Sequence, residues 1–180
     1  VDKHFGPVHP NSNVSLTVQS GTIHGIVGEN GAGKSTLMSI LYDSYHADSG
    51  QTKVYDKDFR ATSSKQSIEA GIGMVHQHLS LVDNFTVLEN VILGSEGSAL
   101  ITQSLEKARI VLTRLAKEYG LEVELDIAVE DLSVGMQQRV KILKGLYKGA
   151  KVLILDEPTG VLTPQESDEL FRIFEALKKQ

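Results

Sequence analysis

The 180-residue chain contains no cysteine and no tryptophan, and aromatic residues make up only 6% of it. Without cysteine it can form neither a disulfide framework nor a thiolate metal site, a composition that fits a reducing compartment. The longest unbroken apolar run is the four residues 152–155, whereas a membrane-spanning helix needs about 20 apolar residues. The net charge of -5 argues against a general nucleic-acid binder, which usually carries a basic surface.

What is present fits one ordinary domain with a real core, since 41% of the residues are hydrophobic and 23% are charged. In the first half, short apolar stretches predict strands at 14–18, 23–27, 52–55 and 74–77. A helical pattern starts at Ser35, after a glycine-rich loop.

The second half has a different pattern. From residue 86 to about 148 the apolar residues recur at helical spacing, which predicts a helical insertion. Residues 151–156 predict a strand buried on both faces, and 164–180 predict a helix. The apolar stripe of that helix is formed by Leu170, Phe171, Phe174 and Leu177.

Residues 28–35 fit the phosphate-loop pattern of Gly, four residues, Gly-Lys-Ser between a strand and a helix. The glycines let backbone N–H groups point at phosphate oxygens, and the helix adds its positive end. Lys34 is expected to contact the β- and γ-phosphates, and the hydroxyl of Ser35 is expected to bind Mg²⁺. A glycine turn that caps a helix is the plainer alternative, but a chance match is on the order of one per cent. The predicted nucleotide-binding residues of this loop are Gly28, Asn30, Gly31, Ala32, Gly33, Lys34, Ser35 and Thr36.

Two carboxylates, Asp156 and Glu157, follow the apolar strand at 152–155. In a parallel sheet they would lie at the carboxyl edge, where ligands bind in open α/β folds. Asp156 would hold the Mg²⁺ shell, and Glu157 would orient or deprotonate the attacking water. Alone, this pattern is more typical of a solvated acidic turn, but together with the phosphate loop it favours catalysis.

The residues Leu132-Ser133-Val134-Gly135-Met136-Gln137-Gln138-Arg139 predict a helix that Ser133 caps. An ordinary cap is the simplest interpretation of this pattern. The segment, however, closely resembles the signature motif of ABC-type ATPase domains, and the resemblance covers essentially the whole chain with its motifs in the family's order. It implies a P-loop NTPase fold of the α/β class with a mainly parallel sheet, an N-terminal antiparallel β part and an inserted helical subdomain.

The resemblance implies that the chain is a single domain. Its core would consist of residues 1–84 and 151–180, and a helical subdomain would occupy about 85–150. The resemblance also implies roles for single residues. Phe5 matches the aromatic residue that stacks on adenine, and Gln77 matches a catalytic glutamine that contacts Mg²⁺ or water. Ser133 and Gly135 match the residues that reach the γ-phosphate held by the other domain of a head-to-tail pair.

Val134 and Met136 replace the common Gly and Gln of the signature, and Thr163 stands where most members have Asp. These departures resemble the subfamily that energises bacterial uptake of simple sugars and nucleosides, and Thr163 puts the usual role of that Asp in doubt. The family's γ-phosphate histidine follows the last helix, so the chain is expected to be truncated at its C-terminus. We therefore expect it to bind ATP and hydrolyse it poorly.

The resulting prediction is an ATPase, with ATP and Mg²⁺, that energises an importer at the cytoplasmic face of the membrane as a peripheral subunit. Its expected partners are a second nucleotide-binding domain, on the same chain or in a homodimer, permease subunits and, indirectly, a substrate-binding protein. The alternative is a soluble ABC-type ATPase of translation or DNA repair, which the acidic charge disfavours. A GTPase is excluded because no Asn is followed by Lys. A non-catalytic binding module stays open.

Overall fold

The computed structural model describes residues 1–42, 45–75, 81–94 and 101–179, without the side chains of 101–104. Within them the chain forms an α/β fold with antiparallel and parallel strand pairs and helices. The elements in order are β1 (Lys3–Phe5), β2 (Val8–Asn11), α1 (Lys34–Tyr42), β3 (Lys53–Val54), β4 (Lys57–Asp58), α2 (Ser64–Glu69), β5 (Ile72–Val75), α3 (Val87–Ile92), α4 (Ile101–Tyr119), a 3-10 turn (Val129–Asp131), α5 (Val134–Tyr147), β6 (Val152–Leu155) and α6 (Pro164–Lys178).

The centre of the fold is the parallel pair of β5 and β6, which runs in register from Ile72 opposite Val152 to Val75 opposite Leu155. The strand predicted at 74–77 corresponds to β5, which begins two residues earlier and is buried throughout, while residues 76 and 77 lie outside the described residues. In β6 Ile154 is buried, Leu153 and Leu155 are half-buried and Val152 is 38% exposed, so the prediction of a strand buried on both faces was wrong. The physical reason is that α1, α2 and α5 pack against β5, whereas no described helix packs as extensively against β6.

The antiparallel part lies elsewhere than the sequence pattern suggested. The structure has no strands at 14–18 or 23–27, and it pairs β1 with β2 and β3 with β4. Residues 15–32 are exposed throughout, and Val27 reaches 96% exposure. An alternating pattern forms a strand only when a neighbour supplies the ladder of hydrogen bonds, and no described strand pairs with 14–27.

The helical prediction for 86–148 is confirmed by α3, α4 and α5, which share one buried cluster. Thr86 and Glu89 form a reciprocal capping box that starts α3. The amide of the fully buried Asn90 donates to the carbonyl of Val82 at 3.0 Å and so ties the preceding loop to this helix. The limits of a helical subdomain at 85 and 150 stay a prediction.

Helix α6 joins the same cluster through Leu170 and Ile173, which are 3% and 4% exposed. Phe174 and Leu177 pack beside them, but Phe171 is 56% exposed and was wrongly placed on the apolar stripe. Because a helix turns 100° per residue, Ile173 and Phe174 share the face of Leu170, whereas Phe171 is turned away from it. No helix in the described part of the chain combines the length and the apolar character needed to cross a bilayer.

Candidate functional site

The phosphate loop ends where α1 begins, and Gly33 joins the two. Gly33 has φ +86°, and a Cβ built on it would lie 2.1 Å from the carbonyl oxygen of Pro10. Its own carbonyl accepts the N–H of Leu37 at 3.0 Å and the side-chain amide of Asn11 at 3.1 Å. Both the backbone conformation and the close approach therefore require glycine here. The contacts of Gly33 with Pro10 and Asn11 attach the loop to β2.

The rest of the loop is open. Asn30, Gly31 and Ala32 are exposed, Gly31 has φ +84°, and the N–H of Ala32 closes a turn on the carbonyl of Glu29 at 3.1 Å. Thr36 lies half-buried in the first turn of α1. The predicted strand before the loop is absent, so the loop is supported by β2 and α1 instead.

The side chain of Lys34 turns back over the phosphate loop. Its Nζ donates to the carbonyl oxygens of Gly28 at 2.8 Å and Glu29 at 2.9 Å. These acceptors are neutral, and an ionised phosphate oxygen is a stronger acceptor for an ammonium. The cation is therefore held at the loop by partners that a phosphate can replace.

Ser35 and Asp156 meet although 121 positions separate them, because the hydroxyl of Ser35 donates to Asp156 Oδ1 at 3.2 Å. Asp156 is held at the end of β6 by its N–H, which donates to the carbonyl of Val75 at 3.1 Å. A hydroxyl and a carboxylate are oxygen ligands of the kind that Mg²⁺ takes from proteins alongside substrate phosphates and water. The described residues contain no cluster of three or more His, Asp or Glu able to hold a metal alone.

Glu157 follows with φ +46°, a left-handed conformation that is strained for a residue other than glycine. Its carbonyl accepts the N–H of Gly160 at 3.2 Å, so the chain turns sharply just after the carboxylates. The carboxyl side of the parallel pair thus carries Asp156 and Glu157. Gln77 lies two positions beyond the end of β5 and falls outside the described residues.

Phe5 lies on β1 and is 42% exposed. Its ring meets Tyr45 edge to face with centroids 5.0 Å apart, and Lys3 Nζ lies 5.2 Å from its centroid. Part of the ring surface is thus open to a stacking partner, and its contact with adenine stays a prediction.

The start of α5 is capped as the sequence predicts, since Ser133 Oγ accepts the N–H of Met136 at 3.3 Å. The N–H of Gly135 donates to Glu166 Oε1 at 3.2 Å, and the hydroxyl of Ser133 lies 3.5 Å from the same oxygen. The signature residues therefore meet a carboxylate from α6.

The other oxygen of Glu166 serves its own helix. Oε2 accepts both the N–H and the hydroxyl of Thr163 at 3.0 Å, and Thr163 Oγ1 accepts the N–H of Glu166 at 3.3 Å. The bonds from the N–H and the hydroxyl of Thr163, followed by those from Gly135 and Ser133, lower the pKa of Glu166 below its ordinary value. Sequence reasoning missed Glu166, although the spacing of Thr163 and Glu166 is that of a capping box.

Comparison with known proteins places these motifs in a family context. The profile of the ABC transporter family matches residues 11–160. The nucleoside import ATP-binding protein NupA of Lactococcus lactis subsp. cremoris (strain MG1363) is 49% identical over 180 residues, which are 100% of this chain and 36% of that protein. The glucose import ATP-binding protein TsgD13 of Haloferax volcanii is 42% identical, with 97% of this chain and 37% of that protein covered.

Among solved structures, the dimeric structure of MJ0796, a bacterial ABC transporter cassette, matches with a TM-score of 0.77 at 25% identity. The match covers 96% of this chain and 76% of that one. The chain thus has the fold of these cassettes, and it spans somewhat more than a third of the length of the curated relatives.

Proposed function

The chain belongs to the ABC transporter family, and from this premise we propose that it is the ATP-hydrolysing part of an importer for a nucleoside or a simple sugar. The relatives that support this proposal are a nucleoside import and a glucose import ATP-binding protein. The hydrogen bond between Ser35 and Asp156 carries the site assignment, because it joins the start of the phosphate-loop helix to the carboxylate strand.

In this proposal the residues from Gly28 to Thr36 bind the phosphates of ATP. The N–H groups of the loop and the positive end of α1 face the phosphate oxygens, and Lys34 moves from the carbonyls of Gly28 and Glu29 to the β- and γ-phosphates. Phe5 stacks on the adenine ring.

Ser35 and Asp156 would hold Mg²⁺, with Gln77 as a further ligand. When bound, the ion neutralises charge on the β- and γ-phosphates. Glu157 accepts a proton from the attacking water, whose oxygen bonds to the γ-phosphorus as the bond to the β-phosphate oxygen breaks.

A second nucleotide-binding domain completes the site, in the same polypeptide or in a homodimer. Ser133 and Gly135 would then contact the γ-phosphate that the opposing domain holds, and the dimeric cassette of MJ0796 supports such pairing. The further partners are permease subunits and, through them, a substrate-binding protein. The working location is the cytoplasmic face of the membrane, as a peripheral subunit.

The test separates ATP binding from turnover in the full-length protein. Glu157→Gln should bind Mg²⁺-ATP as the parent does and lose nearly all phosphate release, because the water loses its proton acceptor. Undiminished phosphate release would contradict the assignment of Glu157. The 180-residue chain alone should bind ATP with little turnover.

Import is tested in cells that lack the gene for the full-length protein. We expect uptake of labelled nucleosides or of labelled simple sugars to fall in these cells and to return with the intact gene, but not with a Lys34→Ala copy. Unchanged uptake of both substrate classes would contradict the importer proposal.

A further inference from the structure

The start of α5 already holds an anion from its own chain. Glu166 Oε1 accepts the N–H of Gly135 at 3.2 Å and lies 3.5 Å from the hydroxyl of Ser133. These are the two groups proposed above to contact the γ-phosphate of an opposing domain. The carboxylate thus lies where that phosphate would have to bind.

Phosphate and carboxylate cannot share this place. The N–H of Gly135 has one hydrogen to donate, and two anions within hydrogen-bond distance of it would repel each other. The carboxylate also fills the space beside Gly135, since a Cβ at that position would lie 2.6 Å from Glu166 Oε1. Binding of a phosphate by these donors therefore requires that Oε1 leave.

The two oxygens of Glu166 are not held equally. The bonds of Oε2 to the N–H and hydroxyl of Thr163 are both 3.0 Å, whereas those of Oε1 are 3.2 and 3.5 Å. Hydrogen bonds weaken as they lengthen, so the contacts of Oε1 are the weaker ones. Oε1 can consequently leave Gly135 while Oε2 keeps the cap of α6.

Other contacts between the two helices do not involve Glu166. Arg139 of α5 forms an ion pair with Glu169, one turn further along α6 than Glu166. Below it, Val140 and Leu143 of α5 and Leu170 and Ile173 of α6 belong to one buried cluster. Oε1 can thus move at the starts of α5 and α6 while the two helices stay packed against each other.

We propose that Glu166 is a positioning residue whose carboxylate occupies the phosphate-binding end of α5 in the unpaired domain and is displaced when the γ-phosphate of an opposing domain binds. The inference rests on the proposed pairing of two ATP-bound domains. It gives Glu166 two functions: it holds Ser133 and Gly135 in place before pairing, and it opposes pairing until ATP is present. Since Thr163 precedes α6 in the loop after the carboxylates, the displacement also links this loop to the opposing nucleotide.

The test uses the full-length protein in the Glu157→Gln background, where ATP is not consumed. Pairing of the two nucleotide-binding domains is followed by fluorescence energy transfer as Mg²⁺-ATP is added. Glu166→Gln removes the charge and keeps an N3 residue that forms a capping box. Glu169→Gln is the matched control, because it removes a charge from the same helix that pairs with Arg139, whereas the N–H of Gly135 donates to Glu166.

We expect Glu166→Gln to lower the ATP concentration for half-maximal pairing by roughly three- to tenfold, the scale on which one ordinary hydrogen bond counts. Glu169→Gln should leave it within about twofold, as expected for an exposed ion pair. An unchanged or higher midpoint for Glu166→Gln overturns the inference, because a purely structural contact would give that result.

Two further readouts separate the causes of failure. In NMR spectra of the nucleotide-free protein, the resonance of the Gly135 amide should shift in Glu166→Gln and keep its position in Glu169→Gln. An unchanged resonance in Glu166→Gln overturns the inference without any pairing assay. Absence of ATP-dependent pairing in the Glu157→Gln parent overturns the proposed function and the inference with it.

Discussion

The hydroxyl of Ser35 donates a hydrogen bond to Asp156 Oδ1 at 3.2 Å, and this bond connects the first turn of α1 with the end of β6. Asp156 is in turn fixed to Val75 at the end of β5. Three elements that are far apart in the sequence therefore converge on one pair of oxygen ligands. The proposed metal site depends on this convergence more than on either motif alone.

Removing either oxygen ligand should weaken metal-dependent ATP binding. We expect Ser35→Ala and Asp156→Asn each to raise the Mg²⁺ concentration for half-maximal ATP binding by roughly tenfold or more, since even indirect partners of a metal change its affinity by about 10- to 100-fold. The measurement is a Mg²⁺ titration at fixed labelled ATP. Thr113→Ala, on an exposed part of α4, is the control. Equal midpoints for all three variants would refute the metal assignment.

Gly33→Ala should be costly because of both its conformation and its surroundings. The positive φ alone costs about 1–3 kcal/mol, and the carbonyl of Pro10 leaves no room for the new Cβ. Gly120→Ala separates the two effects, because Gly120 has φ +68° and nothing within 4 Å of a built Cβ. We expect urea denaturation to show the larger loss of unfolding free energy for Gly33→Ala. Equal losses would mean that the contact with Pro10 has no energetic weight.

Thr163 should contribute to stability through its hydroxyl, which caps α6. Thr163→Val removes the acceptor for the N–H of Glu166 and should lower the unfolding free energy by about 1 kcal/mol. Thr163→Ser keeps the hydroxyl and should cost much less. The two variants are compared by urea denaturation, and a loss for Thr163→Ser as large as that for Thr163→Val would contradict the assignment to the hydroxyl.

Acid should destabilise the protein through carboxylates that accept hydrogen bonds at helix starts. Bonds from Thr86 lower the pKa of Glu89, and bonds from Thr163, Gly135 and Ser133 lower that of Glu166, both from an ordinary value of 4.5. A pKa that is lower in the folded state adds stability above the unfolded pKa, and this stability is lost as pH falls through the folded value. We therefore expect little change above about pH 5.5 and a decline below 4.5.

The contribution of the two caps is isolated by the double variant Glu89→Gln, Glu166→Gln, which keeps both capping boxes without their charges. Its thermal midpoint should fall less steeply between about pH 6 and about pH 3.5, a range that spans the ordinary pKa of the carboxyl group. Glu122→Gln, an exposed residue outside both boxes, is the control. Parallel pH profiles for the double variant and the parent would contradict this prediction.

Local patterns predicted every described helix except α2, together with the strand at 152–155 and the cap at Ser133, because periodicity and capping depend on neighbours within a few residues. The strands predicted at 14–18 and 23–27 failed for the opposite reason, since a strand needs a partner from elsewhere in the chain. The contact between Glu166 and Gly135 was also beyond sequence reasoning. The capping box at Thr163 indicates one oxygen of the carboxylate, but only packing of α6 on α5 decides where the other oxygen lies.

The close approach of Gly33 to Pro10 attaches the phosphate loop to β2. Pro10 belongs to β2, which pairs with the strand that carries Phe5, so the proposed base contact and the phosphate loop are attached to the same short hairpin. The hairpin therefore contributes to the spacing between these two proposed contacts. A change at Pro10 would act on both of them at once.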